Sequence, residues 1–397
     1  MGPIGGNARE ARLKSAPAFL GVILCSLASA TTLRAIDPLL PPLAAEFGTL
    51  PGAVAILITV YTVAYGGVQF VSGRIGDRFG KPRVIAAATL GAAAATAACA
   101  LAPGLDSLLA LRAVAGAFAG GIIPLAIAYV GDTVAYENRQ QALARLVSTQ
   151  ILGTIAGQVG SGLVGELVGW RGVLGILASL FAAGGIALVV VLRGAGPTPG
   201  NATHARAGYG WIGSPRARVV LSTVLLEGVF FYAGLAFVAS DLQARMGISL
   251  AKAGLSLLLF GVGGLAFSLT FGRLMAGLPR GRTPLLGGLA LATGFAGLSL
   301  SPNVAFAAVS LLPVGWGFYA MHSTLQTEAT QMLPEARGHA VATFAATFFC
   351  GQALGVLAGG YAFDRIGGPP IFAASACVLA ILGLRFARAL ARGYRAA

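Results

Sequence analysis

PGAVAILITVYTVAYGGVQFVSGRIGDRFGKPR, residues 51–83, decides the fold of this chain, because about 22 apolar residues run directly into a short loop of glycine and charged residues. A helix crosses the hydrocarbon core of a bilayer, which is about 30 Å thick, with about 20 apolar residues. The run is therefore long enough to span a membrane. The loop marks the point where the chain leaves the lipid.

The same pattern recurs along the whole chain, which is 56% hydrophobic and only 10% charged. Soluble domains carry about a quarter charged residues, so this composition excludes a set of soluble domains. Apolar runs between glycine, proline and charge clusters predict an all-α membrane protein of twelve spans. They lie at about residues 17–40, 51–72, 83–102, 107–131, 144–168, 173–192, 218–240, 251–272, 283–301, 304–330, 340–362 and 370–390.

The formal charge of +14 is distributed unevenly, since the basic residues fall almost entirely in alternate loops. The positive-inside rule places those loops and both termini in the cytoplasm. We expect a multi-pass protein of the inner membrane. The basic loop residues are Arg9, Arg12, Lys14, Arg74, Arg78, Lys81, Arg83, Arg193, Arg206, Arg216, Arg218, Arg273, Arg280, Arg282, Arg388, Arg392 and Arg395. No basic stripe with interleaved aromatic residues is present, so a nucleic-acid partner is not expected.

An internal repeat divides the chain into two six-span halves. Gly73-Arg74 recurs as Gly272-Arg273, and Gly157 recurs as Gly355 in the later part of each half. A stretch rich in glycine and proline separates the halves and reads as a cytoplasmic linker. The predicted division is 1–16 (cytoplasmic tail), 17–193 (first bundle), 194–216 (linker), 217–392 (second bundle) and 393–397 (tail).

The four cysteines lie in apolar runs without the spacing of metal ligands, and we expect free thiols and no metal or cofactor. The first span imitates a secretory signal that ends at Ala28-Ser29-Ala30. Its apolar run continues to Leu40, however, and cleavage would remove one span of a paired set. We therefore expect the segment to be retained.

The loop GRIGDRFGKPR, residues 73–83, resembles the cytoplasmic loop signature of the major facilitator superfamily, with Pro82 as a departure in its basic end. The resemblance covers nearly the whole chain and implies the major facilitator fold of two pseudo-symmetric bundles. It also implies that Asp77 accepts hydrogen bonds from the start of span eleven, where a helix dipole favours an anion. The implied conformational gate comprises Gly73, Asp77, Arg78, Gly80, Lys81 and Asp132, with Lys81 paired to Asp132. The alternative is a solvated basic loop that only sets topology.

Two further stretches are similar to signatures of the same family. LRAVAG, residues 111–116, resembles one with a membrane-embedded arginine, and the resemblance implies that Arg112 tunes a proton-carrying acid. Arg112 could instead snorkel to the outer surface. Gly153, Gly157 and Gly162 resemble the glycine-rich antiporter signature, although Gln158 replaces its proline. Small residues at this spacing equally suit static helix packing.

Span one carries Arg34 and Asp37, which are three residues apart and so lie on one helix face. Either charge alone is expensive in lipid, so an internal ion pair is one interpretation, and Asp37 as a proton-coupling acid is the other. Drug exporters that the chain resembles place an acid four residues before a proline, as Asp37 stands before Pro41. A pair that substrate or a proton can break would act as a switch.

Span seven carries Glu227 well inside its apolar run, followed by Phe230 and Phe231. A carboxyl group in lipid is more stable neutral than charged, so Glu227 is the leading candidate for a proton carrier. The aromatic neighbours suit a lipophilic ligand. The alternative is a structural hydrogen bond to a neighbouring helix.

The remaining cavity candidates are polar or aromatic side chains within spans five, ten and eleven. In the family fold, spans one, four, seven and ten line a central cavity, and this resemblance brings the buried charges together. A lone histidine is more often a polar packing residue than a proton relay. The candidates are Tyr319, His322, Gln326, Gln150 and Gln352.

These features predict a monomeric secondary transporter that exports small lipophilic molecules, such as drugs or metabolites, in exchange for protons by alternating access. Export and antiport rest on the resemblance to drug:proton antiporters and sugar exporters. The alternative is a symporter or facilitator for a sugar or organic acid, in which Arg34 and Arg112 bind the substrate anion. An enzyme is not expected, because no paired nucleophile and base stands out.

Overall fold

The computed structural model describes residues 5–193, 210–275 and 281–394, and within those ranges the regular secondary structure is helical. Most of the predicted linker, residues 194–209, lies outside the described residues. The predicted tail 1–16 is helical from Gly5 onward and continuous with the first span.

The first half contains helices α1 to α6. Their bounds are Gly5–Arg34, Asp37–Leu39 and Leu40–Glu46 for α1; Pro51–Val54 and Ile56–Phe79 for α2; Lys81–Ala100 for α3; Leu105–Ala119 and Ile122–Thr133 for α4; and Tyr136–Arg193 for α5 and α6 together. Gly169 separates α5 (136–168) from α6 (170–193), because its φ of 70° and ψ of 175° are not helical. Glycine adopts such a positive φ without steric cost.

The second half contains helices α7 to α12. Their bounds are Pro215–Leu235 and Val238–Met246 for α7; Leu250–Ser256 and Leu258–Met275 for α8; Arg282–Leu300 for α9; Val304–Ala329 for α10; Arg337–Ile366 for α11; and Gly368–Ala391 for α12. Single helical turns at Gly210–Gly213 and Pro334–Ala336 precede α7 and α11. Among the described residues, eleven helical stretches are long and apolar enough to cross a membrane, and one of them, Gln141–Arg193, contains both α5 and α6. This agrees with the prediction of twelve spans.

Both halves are held together by the same glycine contacts, which gives the sequence repeat a physical meaning. A side chain added at Gly157 would meet the Thr31 carbonyl oxygen where α5 crosses α1, and one at Gly355 would meet the Val229 carbonyl oxygen where α11 crosses α7. Gly116 on α4 and its repeat Gly315 on α10 likewise face the backbone of α2 and α8. Such close approach between backbones is how helices associate in lipid, where apolar surface alone provides little attraction.

Because the spans alternate in direction, α1 begins and α12 ends on one face of the molecule, which we call the terminal face. The other is the opposite face. Contacts between the halves close the opposite face along two helix pairs, α2 with α11 and α5 with α8. On the first pair, the backbone N–H of Gly52 donates to Asp364 Oδ1 at 2.8 Å. On the second, the N–H of Ala251 donates to Glu166 Oε2 at 2.7 Å.

Candidate functional site

Three charged side chains of the first half lie buried at the centre of the molecule. Arg34, in the last turn of the long helix of α1, forms an ion pair with Asp37, in the turn that follows. Both are at most 4% exposed. The chain departs from α-helical geometry at this turn because Pro38 lacks an N–H donor. The predicted ion pair is therefore present, and the proline-rich sequence explains why it sits at a break in the helix.

Arg112 on α4 is the third buried charge, and it is only 1% exposed. Its guanidinium lies 4.1 Å from the centroid of the Tyr61 ring on α2, and it also interacts electrostatically with the Asp37 carboxylate. Its Nε and Nη1 atoms have no hydrogen-bond partner among the described residues. The side chain stays inside the bundle, as a membrane-embedded arginine does, and does not snorkel to the outer surface, which was the alternative. Two guanidiniums share one nearby carboxylate in this cluster.

Tyr232 on α7 carries the cluster across to the second half. The Arg34 guanidinium lies 4.5 Å from the centroid of the Tyr232 ring, within the range of a cation–π interaction. The Tyr232 ring in turn lies 5.7 Å from that of Phe348 on α11. Since Arg34 and Tyr232 belong to different halves, any rocking of the halves changes this contact.

Glu227 on α7 and His322 on α10 form the ionisable pair of the second half. His322 Nδ1 lies 2.8 Å from Glu227 Oε2, and the Glu227 side chain is fully buried. The other carboxylate oxygen, Oε1, has no hydrogen-bond partner among the described residues. Glu227 was predicted to carry the proton and His322 to line the substrate cavity, whereas the two form one hydrogen-bonded pair in the structure.

Aromatic rings surround His322. Its ring stacks on Phe318 with a centroid separation of 5.1 Å, and it lies 4.5 Å from Phe348 and 5.5 Å from Phe344. The His322 side chain nevertheless keeps 16% of its surface exposed, while Glu227 keeps none. His322 is therefore the more exposed member of the pair.

The other predicted cavity residues of the second half have varied surroundings. Phe231 is fully buried and stacks on Phe318 at 4.2 Å, so it belongs to the core of its own bundle. Phe230 is half-buried and packs against that core. Tyr319 packs closely over Gly264 of α8. Gln326 is exposed, one turn closer to the terminal face than His322.

The two glutamines predicted on α5 and α11 also differ. Gln352 is 1% exposed, and its Nε2 donates to Thr62 Oγ1 of α2 at 3.3 Å, across the interface between the halves. Gln150 is half-buried, and its Nε2 has no hydrogen-bond partner among the described residues. Gln352 therefore connects the halves in this conformation, and its role as a substrate contact stays a prediction.

The loop after α2 forms a compact ionic group at the terminal face. Lys81 Nζ lies 2.7 Å from Asp77 Oδ1 and 2.5 Å from Asp132 Oδ2. The Lys81–Asp132 pair that the family resemblance implied is thus present. Gly80 has a φ of 88°, a conformation that other residues rarely adopt, and it joins α2 to α3.

The remaining members of the predicted gate contribute less to this group. Arg78 is exposed and lies over its neighbour Phe79, with 5.3 Å between the guanidinium and the ring centroid. A side chain at Gly73 would meet nothing within 4 Å, whereas one at Gly76 would press on Leu125 of α4. Close packing in this loop therefore depends on Gly76, which was not among the predicted gate residues. A gate role for the loop, including a contact of Asp77 with α11, stays a prediction.

The three glycines of α5 face two different surfaces. Gly153 and Gly157 pack against the backbone of α1, inside the first half. A side chain on Gly162 would lie 2.8 Å from the Cα of Gly254 on α8, in the second half. The first two therefore build the bundle, and the third builds the contact between the halves.

A cavity of about 170 Å³ lies apart from these groups, at the terminal-face ends of α1, α4 and α5. None of the predicted site residues lines it, and none of the buried charges at the centre of the molecule contacts it. Its walls are Phe19, Tyr129, Thr133, Val134, Asn138, Gln141, Ala142 and Arg145.

Three residues of the centre were not predicted from the sequence: Tyr61, Gln158 and Tyr232. Gln158 is 1% exposed and lies beside Asp37. It stands where the antiporter signature has proline, so its unusual identity was a usable signal. No pattern singled out the two tyrosines, because aromatic residues are common in membrane helices and their partners lie on other helices.

Comparisons with known proteins agree with this architecture. The family model described as Major Facilitator Superfamily matches residues 22–336, and again 219–396. A peptide transporter, POT, has a TM-score of 0.78 at 14% identity, covering 95% of this chain and 94% of that one. The human organic anion transporter MFSD10 has a TM-score of 0.69 at 16% identity, covering 95% and 99%. At these identities, the likeness shows the fold alone.

Curated relatives match shorter stretches. The MFS-type transporter YybF of Bacillus subtilis (strain 168) is 25% identical over 198 residues, which is 49% of this chain and 48% of that protein. The puromycin resistance protein pur8 of Streptomyces alboniger is 31% identical over 134 residues, covering 33% and 26%. The cephamycin export protein CmcT of Amycolatopsis lactamdurans is 31% identical over 140 residues, covering 34% and 28%. The chain thus spans half or less of these relatives.

The family model covers well over half of the chain, and the helix arrangement agrees with it. The predictions of the family, of its fold and of a protein that is not an enzyme are confirmed. The chain belongs to the Major Facilitator Superfamily and is a multi-pass membrane transporter.

Proposed function

We propose that this transporter exports small lipophilic molecules from the cytoplasm in exchange for protons, with its terminal face in the cytoplasm and the chain acting as a monomer in the inner membrane. The observation that carries the proposal is the Glu227–His322 pair, with its fully buried carboxylate. The names of the relatives pur8 and CmcT, a resistance protein and an export protein, support the direction.

The Glu227–His322 pair can gain or lose a proton. A buried carboxylate needs a counter-charge, and His322 supplies one only when its imidazole is protonated. Gain or loss of one proton therefore changes the net charge of the pair by one unit. That change occurs five residues along α7 from Tyr232, whose ring holds Arg34 of the other half. Protonation and the contact between the halves are thus adjacent, as coupling by alternating access requires.

A pH gradient supplies the test. Purified protein in liposomes should extrude puromycin, chosen because pur8 is named for resistance to it, when the gradient directs protons inward against the drug. Glu227→Gln should abolish gradient-driven extrusion while leaving exchange of labelled drug between equal concentrations intact. Glu335→Gln, an exposed acid in the loop before α11, is the matched control and should extrude normally. Unchanged gradient-driven extrusion in Glu227→Gln would overturn the proton assignment.

A second candidate function, transport of an organic anion by symport or facilitation, has one specific observation in its favour. Arg34 and Arg112 share the nearby Asp37, and Arg112 keeps two buried nitrogens without hydrogen-bond partners in the described structure. An anionic substrate would neutralise that charge. In the same liposomes, uptake of organic anions that is lost in Arg112→Leu and retained in Glu227→Gln would favour this candidate over drug export.

A further inference from the structure

Two carboxylates at the opposite face each bind the first turn of a helix from the other half. Asp364, near the end of α11, accepts a hydrogen bond from the backbone N–H of Gly52 at the start of α2, at 2.8 Å. Glu166, near the end of α5, accepts one from the N–H of Ala251 at the start of α8, at 2.7 Å. The first N–H groups of a helix have no partner within the helix. Each carboxylate therefore accepts a hydrogen bond from one of them and also interacts favourably with the positive end of the helix dipole.

The two hydrogen bonds are related by the internal repeat. Glu166 and Asp364 have the same offset as Gly157 and Gly355, and Gly52 and Ala251 have the same offset as Gly73 and Gly272. Each half therefore contributes one carboxylate and one helix start. One such hydrogen bond alone would be explained by packing. Because the hydrogen bond occurs in both repeats, it closes both sides of the interface between the halves.

A close backbone contact lies one helical turn from each carboxylate. Gly162 precedes Glu166 by four residues and faces the Cα of Gly254, while Gly360 precedes Asp364 by four residues and faces Gly52. A side chain at Gly360 would lie 2.5 Å from the Gly52 carbonyl oxygen. The absence of side chains lets the helices approach closely enough for each carboxylate to reach the opposite backbone.

A third contact lies between these two, where α1 meets α7. Gln243 Nε2 donates to the Pro38 carbonyl oxygen at 3.4 Å, again from one half to the other. The contacts together run across the opposite face from α2–α11 through α1–α7 to α5–α8.

We propose that Glu166 and Asp364 are the paired gate residues of the opposite face, which hold the external entrance closed by capping the starts of α8 and α2. Both caps must break when the halves rock to open that entrance. The naming of this entrance as external rests on the orientation in the proposed function, whereas the gate itself depends on neither substrate nor proton.

The test measures how often the opposite face opens. Position 62 is a suitable reporter, because Thr62 is fully buried on α2 at the interface, deeper than Gly52. Thr62→Cys is placed in a chain whose four natural cysteines are replaced by alanine. A membrane-impermeant maleimide is then applied to the opposite face and, in vesicles of inverted orientation, to the terminal face.

Removing a cap should favour the open state, and more so at Asp364, which is half-buried, than at Glu166, which is exposed to solvent. Asp364→Ala should raise the labelling rate from the opposite face about tenfold, Glu166→Ala should raise it less, and the double variant should raise it most. Labelling from the terminal face should not rise. Glu166→Gln and Asp364→Asn, whose amide oxygens can still accept, should give smaller increases.

Asp106→Asn is the matched control, because Asp106 is an exposed carboxylate in the first turn of α4 at the same face. Its labelling rate should equal that of the parent. The proposal is overturned if the double variant labels like the parent, if Asp106→Asn labels as fast as the double variant, or if labelling rises equally from both faces, which indicates general loosening. None of these outcomes bears on proton coupling, so a failure here is distinct from a failure of the proposed function.

Discussion

The two halves of this transporter share their helix packing but not their charges. Gly157 on Thr31 in the first half matches Gly355 on Val229 in the second. The buried ionisable residues break the repeat, because the positions equivalent to Arg112 and Glu227 hold Leu311 and Ser29. Close packing is thus duplicated, whereas each half carries its own ionic chemistry. The first half holds arginines, which stay charged, and the second holds a histidine, which can become neutral.

The largest loss of stability should come from changing Asp37, which is the only carboxylate among the charged residues described at the centre of the first half. Asp37→Asn leaves Arg34 and Arg112 buried without their counter-charge, and breaking such a network costs about 3–5 kcal/mol. Glu227→Gln should cost less, because the glutamine amide can still hydrogen-bond to the His322 imidazole and no permanent positive charge is left without its partner. Unfolding titrations in mixed micelles measure both free energies. Equal losses in the two variants would contradict the distinction between the halves.

A double-mutant cycle sharpens this prediction. Arg34→Gln combined with Asp37→Asn should be less destabilising than the sum of the single variants, because the two side chains form a direct ion pair. If the two losses of stability are additive, the Asp37 carboxylate is stabilised mainly by Arg112 and not by Arg34.

The second prediction concerns what the halves share. Gly157→Val and Gly355→Val should each lower the free energy of unfolding by about 1–3 kcal/mol, since the added methyl groups collide with backbone atoms of the neighbouring helix. Gly160→Val is the matched control on α5, because a side chain there meets nothing within 4 Å. The same micelle titrations apply. A loss confined to one half would show that the repeat no longer carries equal packing.

The parts of the structure that were predictable are those that local sequence determines. Span length depends on residues close together in the chain, and the glycine repeat is found by comparing the two halves of the sequence. Both predictions agree with the structure. The Arg34–Asp37 pair was also accessible, because both residues lie within one turn of α1. Contacts between distant helices were not. Glu227 and His322 were each identified, yet their sequence positions do not define how α7 and α10 are rotated against each other.

The gate carboxylates were missed for a different reason. Glu166 and Asp364 each follow a repeated glycine by four residues, and that spacing was visible in the sequence. Their partners, however, are backbone N–H groups of Gly52 and Ala251, which carry no side-chain signature. Tyr232 is a similar case, since it occupies the repeat position of Arg34 and binds that residue across the interface.

The smallest predicted effects distinguish the terminal-face ends of the two halves. In the second half, the Tyr394 hydroxyl donates to Glu328 Oε2 at 2.6 Å, and the Tyr394 ring lies under Arg216 at 5.1 Å. In the first half, Lys81 joins Asp77 to Asp132, whose side chain is 57% exposed. Solvent-exposed ion pairs contribute little to stability, whereas a partly buried hydrogen bond to a carboxylate contributes more.

Tyr394→Phe should therefore lower the free energy of unfolding by about 1 kcal/mol at pH 7.5, and Asp132→Asn should leave it unchanged within error. Burial, together with the Glu328 carboxylate, raises the pKa of Tyr394, so the folded protein keeps this proton at pH values where the unfolded chain, with a tyrosine pKa of about 10, releases it. Stability of the parent should accordingly fall as the pH rises above about 10, and that of Tyr394→Phe should fall less. The gap between them should narrow at pH 10.5. A gap that stays constant, or an effect of Asp132→Asn as large as that of Tyr394→Phe, would show that the two ends are stabilised alike and that the halves differ in charge only at the centre.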